Sequence, residues 1–576
     1  MLSVKNTLGG SGGIKSIPTG IYVATAPNKT IYNAGETINL AGMTVKAKFS
    51  DNTEKDITSE CTFSPAASAT VYESTSKIDI TWVWEELGSP ISYTAVQNIT
   101  VKRVLTKIEF VSQPAKTVYT KGDLLTLDGM SVKATYNSGA TEDVTTLCTS
   151  SPAAGSALTS VGSKTVTVSY TENGTTKSIS YAITVNAPVY GVSWDGTSTT
   201  RFSRTDAAAN FADPVPYVSG ASSYGSPFDN IYPWSGMNIV DDSVAGKLVS
   251  IPKFYFKWTK TGTTMKLQIS EAMFDGAHVS PAHADRGDGS GERDIVYVGR
   301  YHCNSSYKSV TGSAPKTSIT RSTARSGIHA LGSSYWQYDF AMFWTICMLY
   351  LVEFGDWNSQ AKIGYGCGNN SSAQNVGASD AMPYHTGTMQ SARTTYGVGC
   401  QYRYIEDLWG NVFDWCDGIY FSGADVYCIK KPASFSDSSG GTKVGTRPTS
   451  SGYTSAWGIP TASGFEYALY PSVASGSDST YIPDRCYYNS SGTVLFVGGC
   501  YCRYLLYGLF CLDGGSSDSS SGSNVGSRLQ KLPWRGSLRG KLPPHTIENG
   551  VTVSNGPVSC SLAATITATC FMACST

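Results

Sequence analysis

The sequence predicts a mainly β protein with an α+β C-terminal domain. Two similar segments, which begin at Ile21 and Ile108, align with a constant offset of 87 residues and indicate an internal repeat. Within each segment, apolar and polar residues alternate with the period of a half-buried strand. From Val192 onward the aromatic residues become dense, and the apolar run over residues 335–354 predicts one helix that is buried all round.

The repeat predicts two β-sandwich domains, at residues 14–104 and 105–186, after an N-terminal arm at residues 1–13. Units of this length with about seven short strands are typical of immunoglobulin-like (Ig-like) sandwiches. Both units carry the pattern Y-x-x-G-[ED]-x-[IL]-x-L-x-G-[MS], beginning at Tyr32 and Tyr119. This pattern resembles the bacterial Ig-like families found as spacers in surface and phage tail proteins. We favour a spacer role over a binding role for both units.

Composition and charge exclude several classes of partner. Lys+Arg and Asp+Glu each number 43, so the formal net charge is zero, and we expect no nucleic-acid partner. Residues 1–13 lack the apolar stretch of a secretory signal. The longest apolar run, Phe340–Phe354, is too short to span a membrane. We therefore expect no membrane span. We place the protein in a virion tail, or on the cell surface or outside the cell if a prophage or host encodes it.

Metal and cofactor sites are not expected. The chain has 15 cysteines but no Cys-x-x-Cys pair, and we interpret Cys61 and Cys148, which are equivalent in the repeat, as buried thiols. An acidic loop at residues 278–294 offers oxygen ligands for Ca²⁺ as an alternative. Its spacing fits no calcium-loop pattern, so we favour a solvated loop and no cofactor.

The most distinctive short motif is the segment Tyr402–Gly418. Gly410 and Asn411 indicate a tight turn, because asparagine tolerates unusual backbone angles. Large apolar residues, among them Trp409 and Trp415, surround the turn. We therefore predict that Trp409, Asn411 and Trp415 belong to the scaffold and not to a site.

Three motifs carry a resemblance to a known fold. DLWGNVFDWCDG, VGG at residues 497–499 and SGSNVGSRL are similar to the formylglycine-generating-enzyme-like branch of the C-type lectin fold. The resemblance implies a C-type lectin-like domain at residues 301–529, after a lead-in subdomain at 187–300 and before a tail at 530–576 of unassigned role. It also implies that Gly498, Gly499 and Arg528 are scaffold residues.

The same resemblance argues against an enzyme. Oxidase members of that family carry a cysteine pair, C-x-x-x-x-C, just after the two glycines. The matching positions here are Arg503 and Gly508. Cys500 and Cys502 do not fall at these positions, and a single residue separates them. We see no thiolate pair that could hold copper on one centre, and we expect no shared role for the cysteines of this segment.

A more specific resemblance accounts for the unpatterned run after Gly499. The segments SWDGT, DSVAGKLVSIPKFYFKWTK, FGDWNSQAKIGYG and CYYNSSGTVLFVGG are similar to variable proteins of diversity-generating retroelements, of the type found on phage tails. This resemblance implies a variable region at about 480–529, in which codons are rewritten between framework positions. The ligand-binding residues it implies are Cys500, Tyr501, Cys502, Arg503, Tyr504, Leu506, Tyr507, Cys511, Asp513, Gly515, Ser516 and Ser520. The alternative is a poorly patterned loop followed by a buried strand.

These resemblances predict a receptor-recognition protein, a phage tail adhesin whose contacts concentrate on Cys500–Ser516. Tyrosine and arginine make effective binding anchors because they combine a large contact area with directional polar groups. The expected partners are a host-cell surface protein or glycan and other phage tail proteins, and a homotrimer is one assembly compatible with that class. The two alternatives are a formylglycine-generating-type oxidase and a structural tail decoration protein.

Overall fold

A computed structural model describes residues 16–86, 89–197, 199–502 and 507–533. The first repeat forms one β-sandwich. Its strands are β1 (Pro18–Thr25), β2 (Ile31–Asn33), β3 (Thr44–Phe49), β4 (Glu54–Asp56), β5 (Thr62–Ser64), β6 (Lys77–Glu86), β7 (Ser89–Asn98) and β8 (Thr100–Lys102). They pair as β1-β3-β4, β2-β8 and β5-β6-β7. Along β3 the predicted alternation is confirmed, because Val45, Ala47 and Phe49 are buried and pack with Trp82.

The second repeat forms an equivalent sandwich. Its strands are β9 (Leu105–Ser112), β10 (Val118–Thr120), β11 (Ser131–Tyr136), β12 (Thr141–Asp143), β13 (Thr149–Ser151), β14 (Gly162–Glu172) and β15 (Thr175–Asn186). The two sheets have the orders β12-β11-β9 and β10-β15-β14-β13. Val132, Ala134 and Tyr136 point into this core. Cys61 and Cys148 are only half-buried, so the prediction of buried thiols is wrong for this pair.

The rest of the described chain contains short strands and three helices. The strands are β16 (Val189–Trp194), β17 (Ser203–Asp206), β18 (Ile239–Asp242), β19 (Gly246–Pro252), β20 (Tyr255–Thr261), β21 (Thr264–Ser270), β22 (His278–Val279), β23 (Ile295–Gly299), β24 (Tyr335–Gln337), β25 (Gly387–Thr388), β26 (Cys400–Tyr402), β27 (Ile405–Glu406), β28 (Phe413–Cys416), β29 (Ile419–Ser422), β30 (Asp425–Cys428), β31 (Thr442–Thr446), β32 (Gly452–Tyr453), β33 (Ala456–Gly458), β34 (Tyr470–Val473), β35 (Arg485–Tyr488), β36 (Val494–Val497), β37 (Leu512–Ser516), β38 (Val525–Gly526) and β39 (Leu529–Lys531). The helices are α1 (Arg321–His329), α2 (Phe340–Phe354) and α3 (Ser359–Lys362).

These elements share one large core, which runs from Val192 to Leu532. One five-stranded sheet has the order β18-β19-β23-β39-β24, so β39 lies between strands that precede it by about two hundred residues of chain. The predicted boundary between residues 187–300 and 301–529 therefore does not separate two cores. The predicted tail also begins too early, because Gln530 and Lys531 pair with β23 and β24.

Helix α2 lies at the centre of this core. It begins later than predicted, because residues 335–337 form β24 and Asp339 caps the helix by accepting a hydrogen bond from the Met342 N–H at 2.8 Å. Gly355 ends it with a φ of 58°, a left-handed conformation that glycine adopts without strain. Every residue of α2 is buried, which confirms the prediction of a core helix. Among the described helices, none is long and apolar enough to cross a membrane.

Candidate ligand-binding site

The tight turn at Gly410 and Asn411 anchors one side of the site. Both residues have positive φ, 81° and 61°. The Asn411 amide donates to Asp407 Oδ2 at 3.0 Å and to the Gln374 carbonyl at 3.1 Å, and its Oδ1 accepts from the Gln374 N–H at 2.9 Å. These bonds hold asparagine in a conformation that few other residues tolerate. The predicted tight turn is confirmed, and the hydrogen bonds of the Asn411 side chain stabilise it.

The two tryptophans of this motif are buried. Trp409 donates from Nε1 to the Gly364 carbonyl at 3.0 Å, and Trp415 donates to the Ile319 carbonyl at 2.9 Å. Each indole thus joins a distant loop to the turn while its ring fills the core. The scaffold role of these residues stays a prediction, and Trp415 also lines the cavity described below.

Gly498 and Gly499 shape the turn that follows β36. Their φ values are 87° and 84°, in the region that favours glycine. A Cβ at Gly498 would lie 2.4 Å from the Leu408 carbonyl oxygen, and one at Gly499 would lie 2.3 Å from Tyr507 Cβ. Only glycine fits at these two positions. These two glycines therefore set the direction in which the backbone enters Cys500.

The structure places several predicted contact residues in the interior. Cys500, Tyr507 and Cys511 are 1%, 3% and 0% exposed, and they complete a small core with Phe413 and Trp415. Cys500 and Cys511 therefore pack in this cluster and do not line the cavity described below, whereas Tyr507 does line it. Three further predicted residues, Arg503, Tyr504 and Leu506, lie outside the described residues.

Cys500 and Cys502 are brought together rather than separated. Their Sγ atoms lie 2.7 Å apart, with Cys500 buried and Cys502 exposed. The spacing alone did not reveal this contact, because residues 500–502 lie in a turn and not in an extended segment. That these cysteines have no shared role stays a prediction.

Four predicted residues do line one cavity, of about 290 Å³: Tyr507, Asp513, Ser516 and Ser520. The other lining residues are Phe413, Trp415, Tyr487, Phe496, Ser521, Gly522, Asn524 and Val525. The cavity lies on the six-stranded sheet β32-β35-β37-β36-β28-β38, so aromatic side chains form its base. The hydroxyl and amide groups that line it form what we call the rim: Ser516, Ser520, Ser521 and Asn524. Tyr501, Cys502 and Gly515 do not line the cavity.

The register of the sheet explains how these residues meet. On β37, Asp513 is directly opposite Phe496 of β36 and Tyr487 of β35. Residues at paired positions project from the same face of a sheet, so these side chains converge on one side. The Tyr487 and Tyr507 hydroxyl oxygens are 2.7 Å apart, and their rings stack with centroids 5.8 Å apart. Burial raises the pKa of Tyr487, so its hydroxyl stays protonated and can donate.

Sequence reasoning missed Tyr487 and Arg485 as site residues. The Arg485 guanidinium lies 5.3 Å from the Tyr487 ring centroid, within the range of a cation–π contact. Both residues fall inside the predicted variable region at 480–529. Both residues lie on β35, and the pairing of β35 with β37 is a long-range contact that no local pattern reveals.

Asp484 and Ser359 hold the chain on the far side of the site. The Asp484 carboxylate accepts hydrogen bonds from the Gly508 and Phe510 N–H groups at 2.6 and 2.9 Å. Ser359 Oγ accepts one from the Leu509 N–H at 2.9 Å. Burial raises the pKa of Asp484 to about 7, although the two backbone donors oppose that rise. A Cβ at Gly508 would lie 2.7 Å from both Asp484 oxygens, so a larger residue here would have to displace this buried carboxylate.

The arrangement favours non-covalent binding. Aromatic faces offer apolar contact area, and the serine and asparagine groups of the rim offer hydrogen bonds that set orientation. Within the part of the chain that the structure describes, no three His, Cys, Asp or Glu side chains converge as metal ligands. In the acidic loop that offered the calcium alternative, Asp288 pairs with Arg293 and His283 is fully buried.

Comparison with known proteins identifies one domain. Residues 112–185 match the family model of the bacterial Ig-like domain (group 3). The chain is therefore a mainly β protein that contains a bacterial Ig-like domain, which confirms the prediction for the second repeat. No curated protein matches the chain.

Solved structures with partial similarity include surface layer protein SbsC, domains 1–6, at 14% identity and a TM-score of 0.16, over 46% of this chain and 41% of that one. Sidekick-1 immunoglobulin domains 1–5 align at 9% identity and a TM-score of 0.17, over 46% and 55%. A Ca²⁺-stabilised adhesin with which an Antarctic bacterium binds ice aligns at 11% identity and a TM-score of 0.15, over 49% and 70%. The chain thus spans about two fifths of the surface-layer structure, and TM-scores this low carry no argument about function.

Proposed function

We propose that this chain is a recognition protein whose C-terminal domain binds a ligand on an external surface, with the Ig-like domains acting as spacers. The observation that carries this proposal is the aromatic cavity, because four residues predicted from sequence to contact a ligand line it together. The cavity combines large apolar faces with hydroxyl groups, as binding sites do. We assign no enzymatic activity and no cofactor to the domain.

The finer proposal is a phage tail or prophage adhesin with a C-type lectin-like domain, diversified by a retroelement. Its support is the contrast between two kinds of position. The framework positions Gly498 and Gly499 admit only glycine, and Arg528 is fully buried. Between them lie residues of varied chemistry that share no period. The ligand would be a host-cell surface protein or glycan, and the remaining partners would be other tail proteins.

Two rim substitutions test the binding role. Ser516→Trp and Ser520→Trp each place an indole at the cavity mouth, where it would exclude a ligand without entering the core. We expect cell binding by fluorescently labelled full-length protein to fall at least about tenfold, a loss of about 1.4 kcal/mol of binding free energy. The measurement is a titration on a panel of bacterial cells, with purified surface glycans and surface proteins as separate arms.

The matched control is Ser438→Trp, which adds the same side chain at an exposed serine outside the cavity lining. It should bind as the unmodified protein does, and all three variants should keep the same melting temperature. Equal binding by all three would show that the cavity is not the site. For the retroelement, sequencing of the flanking DNA should reveal a reverse transcriptase gene and a repeat of codons 480–529 that differs at adenines.

A further inference from the structure

The turn that precedes the cavity contains a pair of thiols. Cys500 Sγ and Cys502 Sγ lie 2.7 Å apart, in direct contact. Both cysteines are free thiols in the structure. Cys502 is exposed, while Cys500 is 1% exposed. One sulfur is thus accessible to a reagent in solution, and the other lies within bonding reach of it.

The framework, and not the thiols, holds this pair together. The residue between them is fixed on both sides of its backbone: the Tyr501 N–H donates to the Asn411 carbonyl at 2.7 Å, and the Tyr501 carbonyl accepts from the Asn370 N–H at 2.7 Å. Before the pair, Gly498 and Gly499 fix the chain direction. Because the backbone already holds the two thiols close together, forming a bond between them restricts little further motion. The effective concentration of one thiol at the other is therefore high.

We propose that Cys500 and Cys502 form a thiol–disulfide exchange site, which low-molecular-weight disulfides such as oxidised glutathione convert to an intramolecular disulfide. This inference goes beyond the proposed function and does not rest on it. The pair does not occupy the positions of the oxidase cysteines, which correspond to Arg503 and Gly508. Oxidation would link Cys500 to Cys502 covalently. Because the predicted contact segment Cys500–Ser516 begins with these residues, the redox state would fix the backbone at its start.

The exchange balances in two steps. The Cys502 thiolate attacks one sulfur of the small disulfide, forming a mixed disulfide and releasing one thiolate, which takes up a proton. The Cys500 thiol then loses its proton to solvent and attacks Cys502 Sγ, forming the Cys500–Cys502 bond and releasing the second small thiol. Two protein thiols are oxidised, and one small disulfide is reduced to two thiols.

The environment of Cys500 makes the second step pH-dependent. Burial and the hydrogen bond with Cys502 raise the pKa of Cys500 to about 12. Burial, the larger cause, persists when Cys502 is in the mixed disulfide, so Cys500 stays mostly protonated at neutral pH. The thiolate is the nucleophile, so only a small fraction of Cys500 can react there. The rate of ring closure should therefore rise about tenfold per pH unit in the neutral to mildly alkaline range.

The test equilibrates reduced full-length protein with glutathione buffers, quenches with acid and alkylates free thiols. Trypsin then releases the peptide Cys486–Arg503, and its mass is measured without reduction. In the unmodified protein we expect the peptide to lose two hydrogens and to carry no glutathione. Cys500→Ser should instead trap one glutathione on Cys502, and Cys502→Ser should show neither change. Because Cys486 lies in the same peptide, these two variants identify which sulfurs react.

Two results would overturn the proposal. One is a stable glutathione adduct on Cys502 of the unmodified protein, at the level seen in Cys500→Ser, after prolonged incubation at mildly alkaline pH. The other is a disulfide from Cys500 to Cys367, since Cys500 lies near enough to contribute to the raised pKa of Cys367. Neither readout uses the cavity ligand, so failure here is independent of the proposed binding function.

Discussion

Arg528 Nε donates to Asp414 Oδ2 at 2.9 Å in an ion pair whose side chains are 0% and 5% exposed. The remaining Arg528 donors bond to four main-chain carbonyls, those of Gly299, Arg300, Glu406 and Asp407. One side chain therefore joins the end of β23, the turn before β28 and the segment that leads into β39. Burial alone would raise the pKa of Asp414, but Arg528 and His302 lower it below its ordinary value.

Arg528→Met should destabilise the C-terminal domain strongly. The substitution removes the buried cation that faces Asp414 and one donor from each of four main-chain carbonyls, and breaking a buried pair in this way costs about 3–5 kcal/mol. Thermal unfolding followed by tryptophan fluorescence measures the change. Arg201→Lys is the control, since its partner Asp213 is 40% exposed and the pair should contribute less than about 1 kcal/mol. Similar melting temperatures for both variants would contradict a structural role for Arg528.

Trp415→Ala should lower stability rather than binding alone. The indole is fully buried beside Phe496 and donates to the Ile319 carbonyl, and truncating a buried tryptophan costs about 3–5 kcal/mol. We expect a large drop in melting temperature or insoluble protein. Tyr72→Ala, at a side chain 64% exposed, should have little effect. Loss of cell binding by Trp415→Ala at full stability would instead make the indole a contact residue.

Asp484 should make stability depend on pH. Its folded pKa of about 7 lies above its unfolded value, so its contribution is present below pH 4 and is lost as pH rises through 7. The unfolding free energy of the native protein, relative to Asp484→Asn, should therefore fall by an amount on the order of 4 kcal/mol between these limits. Urea unfolding across this pH range gives the difference curve. Parallel curves for the two proteins would rule out titration of Asp484.

The C-terminal domain should fold without the Ig-like domains. Its core begins at Val192, and the ion pair between Lys121 and Glu271, 2.7 Å long and partly exposed, contributes less than about 1 kcal/mol. A chain that starts at Ala187 keeps the Pro188 carbonyl that accepts from Ser270. We expect its melting temperature and cell binding to match those of the full chain. A folded fragment that no longer binds would show that the Ig-like domains take part in recognition.

Copper-dependent oxidase activity should be absent. The positions that match the oxidase thiols are Arg503 and Gly508, and Gly508 has no room for a side chain beside Asp484. Incubation with copper and a cysteine-containing sulfatase-type peptide should give no aldehyde by mass spectrometry. The comparison is with the double variant Cys500→Ser, Cys502→Ser. Aldehyde formation above the level of that variant would mean that the domain is an enzyme.

The sequence alone determined the features that depend on local pattern. The two sandwich repeats follow from a period of two along strands such as β3, and α2 follows from an apolar run ended by Gly355. The turn at Gly410 and Asn411 was also predictable, because few residues other than these adopt positive φ without strain. In each case the information lies within a few residues, where backbone sterics and hydrophobic periodicity act.

Only the tertiary structure decided which side chains meet. Asp513 approaches Tyr487 and Phe496 because β35, β36 and β37 are neighbours in one sheet, and strand order is set by packing across the whole domain. The same packing buries Cys500, Tyr507 and Cys511, which a local pattern could not distinguish from exposed residues. It also joins β39 to β23 and β24, which removes the expected domain boundary. Contacts between distant segments depend on how the hydrophobic surface of the entire domain is buried, and no local stretch of sequence contains that information.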